Sequence, residues 1–343
     1  MVACIHLSRY ADLAVIGAGP AGAAAAIAAA RCGLRVILIG PVATSGRPVQ
    51  SLPPEGIAIL ERLGVTDTGA RVWFSGVMTP YGFRAFGQGP SGLSLGAHLD
   101  RDEMDNALCQ SAIRAGATWL RTEVLGLRKE TSVFKVDCGG DIQCETARVV
   151  LATGRLRRFS RGLSIRSCAM SAPLLMATGQ RRVSRGEESS ALLLPGSDSW
   201  LWIAPLGKGW AAWTSVARAG TPSAERLAKA GRVSAATWLL SDPASGEGWV
   251  AAGDAVCALD PSWGRGIVFA LTTGEAAGLA SAAALRDNDL DRQRGLELLY
   301  RNELRASVTA QAALLAISWR ASSPQWAREA LLGVRSHEAG AAG

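Results

Sequence analysis

The residues with the clearest chemistry lie late in the chain, where Gly253-Asp254 is followed by Asp260-Pro261-Ser262-Trp263-Gly264-Arg265-Gly266-Ile267. A carboxylate at the end of an apolar run, here residues 249–252, is a strong acceptor for the hydroxyls of a sugar or polyol. A glycine turn that opens a long small-residue run leaves backbone N–H groups free to meet negative charge. The counterpart near the start is Gly17-Ala18-Gly19-Pro20-Ala21-Gly22, a G-x-G-x-x-G pattern. Its first glycine permits a tight turn, its second lets backbone approach a pyrophosphate, and its third lets helix and strand pack closely. Together these residues point to a bound dinucleotide. A catalytic triad or metal cluster has no comparable support, because three histidines and seven cysteines without a C-x-x-C pair offer no ligand spacing.

The elements that must position these residues follow from the apolar pattern. Residues 12–16 predict a strand, 23–30 a helix and 34–39 a second strand, which is a βαβ unit. A carboxylate for the adenosine ribose is expected at the end of the second strand, but Gly40 and Pro41 stand there. Backbone atoms or an arginine must hold the adenosine instead. Residues 57–63 predict an amphipathic helix with Pro54 near its start, and Asp100 is the expected N-cap of a helix over 102–115. Residues 133–137 and 147–151 predict the strands of a hairpin, with Cys138 and Cys144 flanking a turn at Gly139-Gly140-Asp141. Beyond residue 155, charged loops alternate with strand-like segments at 191–194, 200–206 and 210–216. Residues 249–252 predict a buried strand, 267–285 a long helix and 291–332 further helix, with 340–343 frayed.

A hydrophobic fraction of 48% supports a large core. The net charge of +7 is concentrated partly in Arg155, Arg157, Arg158, Arg161 and Arg166, then Arg181, Arg182 and Arg185. No nucleic-acid motif accompanies them, so an arginine-rich loop beside an anionic cofactor is favoured over nucleic-acid binding. The sequence shows neither an 18-residue apolar run nor a leader-like start, which predicts a cytoplasmic protein without stable membrane insertion. In that compartment the cysteines are expected as buried thiols.

Four features, in order along most of the chain, carry a resemblance: the glycine pattern at residues 17–22, Arg101 in Leu99-Asp100-Arg101, Ala152-Thr153-Gly154, and Gly253-Asp254 with its glycine turn. With them the chain resembles the FAD-dependent monooxygenase superfamily of the aromatic-hydroxylase type. The resemblance implies an α/β fold: a Rossmann-like FAD-binding domain of the glutathione-reductase type, an inserted antiparallel β-sheet substrate domain, and C-terminal helices. Residues 1–155 and 249–285 would form the FAD-binding domain. Residues 156–248, with part of 65–97, would form the substrate domain, and 286–343 the C-terminal helices. FAD would be held by Gly17, Gly19, Pro20, Ala21, Gly22, Arg101, Gly154, Asp254, Pro261, Gly264, Gly266 and Ile267. Arg101 would lie along the pyrophosphate or ribityl chain, and Asp254 would bond a ribityl hydroxyl.

Leu52-Pro53-Pro54, Trp200-Leu201-Trp202-Ile203-Ala204-Pro205 and Asp260-Pro261 with Gly264 and Gly266 resemble a narrower branch. It contains tryptophan halogenases, geranylgeranyl reductases and flavoproteins that mature tryptophan-derived quinone cofactors. The last group implies hydroxylation of an aromatic, tryptophan-like group in a small molecule, peptide or partner protein. Gln50 and the Ser262-Trp263 pair depart from that group's usual residues. Halogenation ranks second, because the lysine those enzymes use has no counterpart between Gly40 and Arg101; reduction of isoprenoid double bonds is the other alternative. A non-enzymatic binding role is a further reading, prompted by Gly40. No catalytic residue is assigned, although Gln50, Trp263 and Arg265 are candidates for the flavin's surroundings. His98 is expected as a solvated strand-end residue, with a flavin neighbour as the alternative. Trp200 and Trp202 share a strand face, with core packing favoured over substrate contact. One G-x-G-x-x-G unit leaves an external flavin reductase or NAD(P)H as the electron donor.

Overall fold

The computed structural model describes residues 8–42, 48–80, 82–89, 92–183, 190–196, 198–230 and 233–286. The helix expected over 291–332 and the frayed 340–343 lie outside these residues.

The chain opens with β1 (Ser8–Ile16), α1 (Pro20–Arg31) and β2 (Val36–Ile39). Leu13 to Ile16 pair in parallel with Val36 to Ile39, as the βαβ pattern predicts. Eleven of the twelve α1 residues are buried, and all but three of these are alanine, so the helix can be covered on more than one side. Next come β3 (Gln50–Leu52), α2 (Pro54–Arg62), β4 (Ala70–Phe74), β5 (Gly76–Thr79), β6 (Gly82–Ala85), β7 (Gln88–Gly89), β8 (Gly92–Leu93) and β9 (Gly96–Leu99). Pro54 occupies the start of α2. They are followed by α3 (Arg101–Arg114), β10 (Thr118–Leu120), β11 (Val124–Glu130), β12 (Val133–Cys138) and β13 (Ile142–Leu151). Asp100 caps α3 as expected, accepting from the N–H groups of Asp102 and Glu103.

The second half supplies β14 (Arg166–Ala169), β15 (Leu174–Arg182), β16 (Ala191–Pro195), β17 (Ser199–Gly207), β18 (Trp210–Arg218), α4 (Pro222–Ala230) and β19 (Val233–Ala235). Then come β20 (Leu239–Asp242), β21 (Ser245–Gly246), β22 (Trp249–Ala251), β23 (Cys257–Ala258) and α5 (Gly266–Arg286).

The parallel sheet runs β10-β2-β1-β13-β22, the strand order of a dinucleotide fold. α1 packs against β1 and β2 of this sheet and against α5, which itself packs against β13 and β22. Where the two helices meet, Gly274 and Gly278 of α5 meet the backbone of Ala21 and Ala25 so closely that no Cβ would fit. α5 is long and apolar enough to cross a membrane, and 56% of its most apolar window is buried.

The hairpin differs from expectation. β12 pairs with the first half of β13, from Ile142 to Thr146, while Val149 to Leu151 join the parallel sheet between β1 and β22. Val149 to Leu151 are apolar because they are buried on both faces, which alternation alone does not distinguish from a hairpin strand. Cys138 and Cys144 are buried thiols on the two hairpin strands. They stand diagonally, since Cys138 pairs with Ile142 and Cys144 with Val136.

A second sheet runs β19-β15-β18-β17-β16-β5-β6. One of its faces packs α4 through Ala177, Ala217, Ala224 and Leu227. Its other face looks toward the nucleotide-type domain.

Candidate active site

The site begins at the turn between β1 and α1. Gly17 has φ +114°, a conformation that favours glycine, and a Cβ there would meet the Ala152 carbonyl. A Cβ on Gly22 would fall inside the Gly17 carbonyl, so the third glycine is fixed by backbone packing. Gly19 differs, because a Cβ there would meet nothing within 4 Å. It is the N-cap of α1 without a side-chain cap, and the first turn holds no acidic residue. That leaves unpaired N–H groups and the positive helix end facing an open cavity, which suits a pyrophosphate.

Gly40 explains the missing carboxylate. A Cβ at this position would lie 2.6 Å from both the backbone nitrogen and the Cβ of Ala18, so no acidic side chain can stand there. The Gly40 carbonyl instead accepts from Trp119 Nε1 at 2.9 Å.

The cavity has a volume of about 970 Å³ and continues from Gly19, Pro20 and Ala21 past Arg101, Ala152, Gly154 and Asp254 to Pro261, Gly264, Gly266 and Ile267. All but two of the expected cofactor residues line it; the two, Gly17 and Gly22, act from behind, with Gly22 buried among backbone. Arg101 is steered by Asp105, whose Oδ1 accepts from Nε at 2.9 Å. Asp254 follows β22 in a short 3-10 turn. Burial pushes its carboxyl above the ordinary carboxylate range, opposed by the charges of Arg155, Arg101 and Arg157. Two arginines of the basic loop therefore act on this carboxylate, as a loop beside an anionic cofactor would. Gly264, at φ +67°, ends a turn held by Asp260, whose Oδ1 accepts from the Ser262 N–H at 2.8 Å. Asp260 Oδ2 accepts from Trp238 Nε1 at 3.2 Å, tying the turn to the neighbouring small sheet. Past that turn α5 begins, and its first N–H groups open into the cavity at Gly266 and Ile267.

These features fit FAD: an anion-binding helix end, a carboxylate suited to a polyol hydroxyl, and a second helix end for the ring's electron-rich edge. Asp254→Ala is expected to purify folded but without the yellow chromophore, because removing an acid whose ionisation burial disfavours costs the apo fold little. Absorbance and thermal denaturation check this, and a fully yellow variant would remove Asp254 from the cradle.

The far wall of the cavity is the second sheet. Thr178, Thr214, Trp202 and Leu193 fall in one register row, and Met176, Val216, Trp200 and Pro195 in another on the same face. Most of them line the cavity, with Val77 and Thr79 of β5 extending the wall. Trp200 is 2% exposed, so it serves as core as well as lining. Trp202 donates from Nε1 to Ser51 Oγ at 3.0 Å.

Of the candidates for the flavin's surroundings, Gln50 and Arg265 line the cavity. Arg265 forms an ion pair with Glu55 at the start of α2, linking the glycine turn to β3 and α2. Trp263 has its backbone in the turn, and its side chain lies outside the described residues.

His98 is a correction. It is fully buried in β9, stacked on Phe74 at 4.2 Å between centroids, and its Nδ1 lies 2.9 Å from Ser51 Oγ. Burial lowers its pKa to about 4. A strand-end histidine looks solvated in sequence, but β3 and β4 flank β9 on either side. Sequence reasoning also passed over Ser51, Glu55 and Cys257 as lining residues; only Ser51 carried a signal, through its place before Leu52-Pro53-Pro54.

Residues 11–166 match the family described as pyridine nucleotide-disulphide oxidoreductase. The menaquinone reductase of Mycolicibacterium smegmatis is 26% identical over 340 residues, covering 82% of this chain and 79% of that protein. The digeranylgeranylglycerophospholipid reductase of Thermoplasma volcanium is 25% identical over 329 residues, covering 82% and 80%. Among solved structures, the flavin-dependent halogenase CmlS superposes with a TM-score of 0.80 at 20% identity, over 94% of this chain and 68% of that one. The peptidyl tryptophan dihydroxylase QhpG superposes with a TM-score of 0.74 at 19% identity, over 93% and 78%.

Fold, cradle and similarities together define an FAD-dependent oxidoreductase. They bear out the expected fold class and the resemblance to the branch that holds halogenases, geranylgeranyl reductases and a tryptophan dihydroxylase.

Proposed function

We propose that the protein oxygenates an electron-rich aromatic group, with a tryptophan-like ring in a small molecule, peptide or partner protein as the substrate. The observation that supports it best is the second-sheet wall, on which Trp200 and Trp202 stand beside Leu193, Met176 and Val77 with no lysine among the described lining residues. FAD supplies two-electron chemistry and, once reduced, the activation of oxygen. The chain's own part is to bind and to shield. Gly19 and the α1 N-terminus hold the pyrophosphate, Arg101 and Asp254 hold the linking chain, and the α5 N-terminus offers N–H groups where the ring gains negative charge. The indole and aliphatic wall excludes water and orients a flat apolar substrate. Reduction comes from NAD(P)H or from a separate flavin reductase.

A second reading is favoured by one observation. Cys257 and Asp260 both line the cavity, and burial raises both, the Cys257 thiol to about 12. The Cys257 thiol therefore stays protonated and could deliver a proton to a double bond that receives hydride, while burial favours the neutral acid at Asp260. The menaquinone and digeranylgeranyl glycerophospholipid of the curated relatives' names are apolar, unsaturated substrates of that kind.

One experiment separates the readings. The holoenzyme, reduced chemically and then exposed to air with tryptophan-containing peptides, with indole derivatives and with menaquinone, is expected to add one oxygen atom to an aromatic substrate, read by mass spectrometry. A gain of two hydrogens without oxygen uptake would replace oxygenation by reduction. A chlorine-for-hydrogen exchange in chloride buffer would restore halogenation.

A further inference from the structure

The buried group left without a use by the cradle is His98, and the hydroxyl it touches faces the cavity. Ser51 Oγ lies 2.9 Å from His98 Nδ1 and accepts from Trp202 Nε1 at 3.0 Å, while Ser51 itself lines the cavity. His98 is fully buried and its Nε2 has no hydrogen-bond partner. The ring is neutral, because burial alone lowers its pKa to about 4. A neutral imidazole carries one proton, so one of its nitrogens must be bare.

The two tautomers leave different groups stranded. With the proton on Nε2, a buried N–H is left without an acceptor. With the proton on Nδ1, only a lone pair is stranded, and orphaned buried N–H groups are the rarer of the two. The second arrangement has a consequence for Ser51. Its oxygen then accepts from both His98 and Trp202, which occupies its two lone pairs. Its own proton has nowhere to go but the cavity.

We propose that Ser51 is a fixed hydrogen-bond donor in the substrate chamber, held in that role by His98 and Trp202, and that it takes a carbonyl-type oxygen of the bound ligand. This deepens the proposed function, resting on its reading of the cavity as an aromatic chamber. It adds that the substrate carries an acceptor oxygen next to its ring or reacting carbon. A hydroxyl free to rotate could serve a donor or an acceptor; one with both lone pairs filled discriminates between them. His98 is a positioning residue here, since it acts through Ser51.

The test has two arms on the FAD-loaded, oxidised protein. Nitrogen NMR of the histidine rings is expected to show His98 with Nδ1 protonated and Nε2 bare; the reverse pattern overturns the proposal, because Ser51 would then give its proton to His98. Binding is read by protein fluorescence with a matched probe pair, 2-acetylnaphthalene and 2-isopropenylnaphthalene, which differ in C=O against C=CH2. The acetyl probe is expected to bind the wild type roughly five- to tenfold more tightly, the range of one neutral hydrogen bond. In Ser51→Ala that ratio is expected to fall to about one. A ratio unchanged by Ser51→Ala overturns the proposal. So does a shift in the ligand-free flavin spectrum of Ser51→Ala without a change in the ratio, which places the donor on the FAD ring. Failure of both probes to bind the wild type overturns instead the aromatic reading of the chamber.

Discussion

Gly22→Ala is expected to lose bound FAD and most of its thermal stability together, whereas Gly19→Ala folds normally and loses only affinity for the cofactor. Both glycines belong to one motif, but their surroundings differ. A methyl on Gly22 would enter the Gly17 carbonyl and crowd Ala152 Cβ at 3.3 Å, so the turn and the first helix must separate. Backbone cannot yield as a flexible side chain can, and overpacking costs about 1–3 kcal/mol even where side chains give way. The Gly22 variant belongs at or above the top of that range. A methyl on Gly19 would project into open cavity. It obstructs the approach of a pyrophosphate to the α1 N–H groups without straining the apo fold. Thermal denaturation of apo protein, paired with flavin content, checks both. Equal stability of the two variants would refute the distinction between the packing glycine and the binding glycine.

That contrast shows what the sequence makes legible. Glycines that permit a close approach leave a spacing rule, as at Gly17, Gly19 and Gly22, and a carboxylate after an apolar strand leaves another, as at Asp254. These are local requirements, and the structure brings Gly19 and Asp254 to the cavity with Gly17 and Gly22 packed behind it. Gly40 was legible only as a departure, because its cause, the backbone of Ala18, sits on the far side of the βαβ turn. The hairpin differs from expectation for a related reason: β13 keeps β1 on one edge from Gln143 to Leu151, while after residue 146 its other edge exchanges β12 for β22, a strand about a hundred residues further on.

His98 was not legible at all. Its burial comes from β3 and β4 flanking β9 and from the stack on Phe74, while the indole that completes the Ser51 network is 151 residues from that serine in sequence. The chamber wall has the same character. Its rows arise from the registers of four strands, and β5, which extends them, comes with β6 from residues well before the rest of that sheet. Chemistry written in local spacing could be read in advance; chemistry assembled by register could not.

The burial of His98 leads to the second large effect, a loss of stability in mild acid that His98→Gln should abolish. In the unfolded chain this histidine takes up a proton near its ordinary pKa of 6.5, while in the folded chain burial delays uptake to about 4. Between those values the unfolded state holds the extra proton, so stability falls as pH falls from 6.5 to 4 and does not fall further below 4 on this account. The full effect is about 3 kcal/mol, from a 2.5-unit difference at 1.36 kcal/mol per unit. Asp254 and Asp260 act in the opposite sense. Their folded pKa values are raised by burial, so their contribution is present below 3.8 and lost as pH rises through the folded values. The wild-type curve therefore mixes slopes of both signs, and the difference between wild type and His98→Gln isolates the histidine. Glutamine cannot titrate but can still reach Ser51. Urea denaturation of the apo protein at pH 7.5 and pH 4.5 is expected to show the variant close to wild type at the higher pH. At the lower pH the variant should be more stable by roughly 2–3 kcal/mol. A constant difference at both values would mean that His98 takes up its proton at the same pH in the folded protein as in the unfolded chain, and the lowering of its pKa by burial would be refuted.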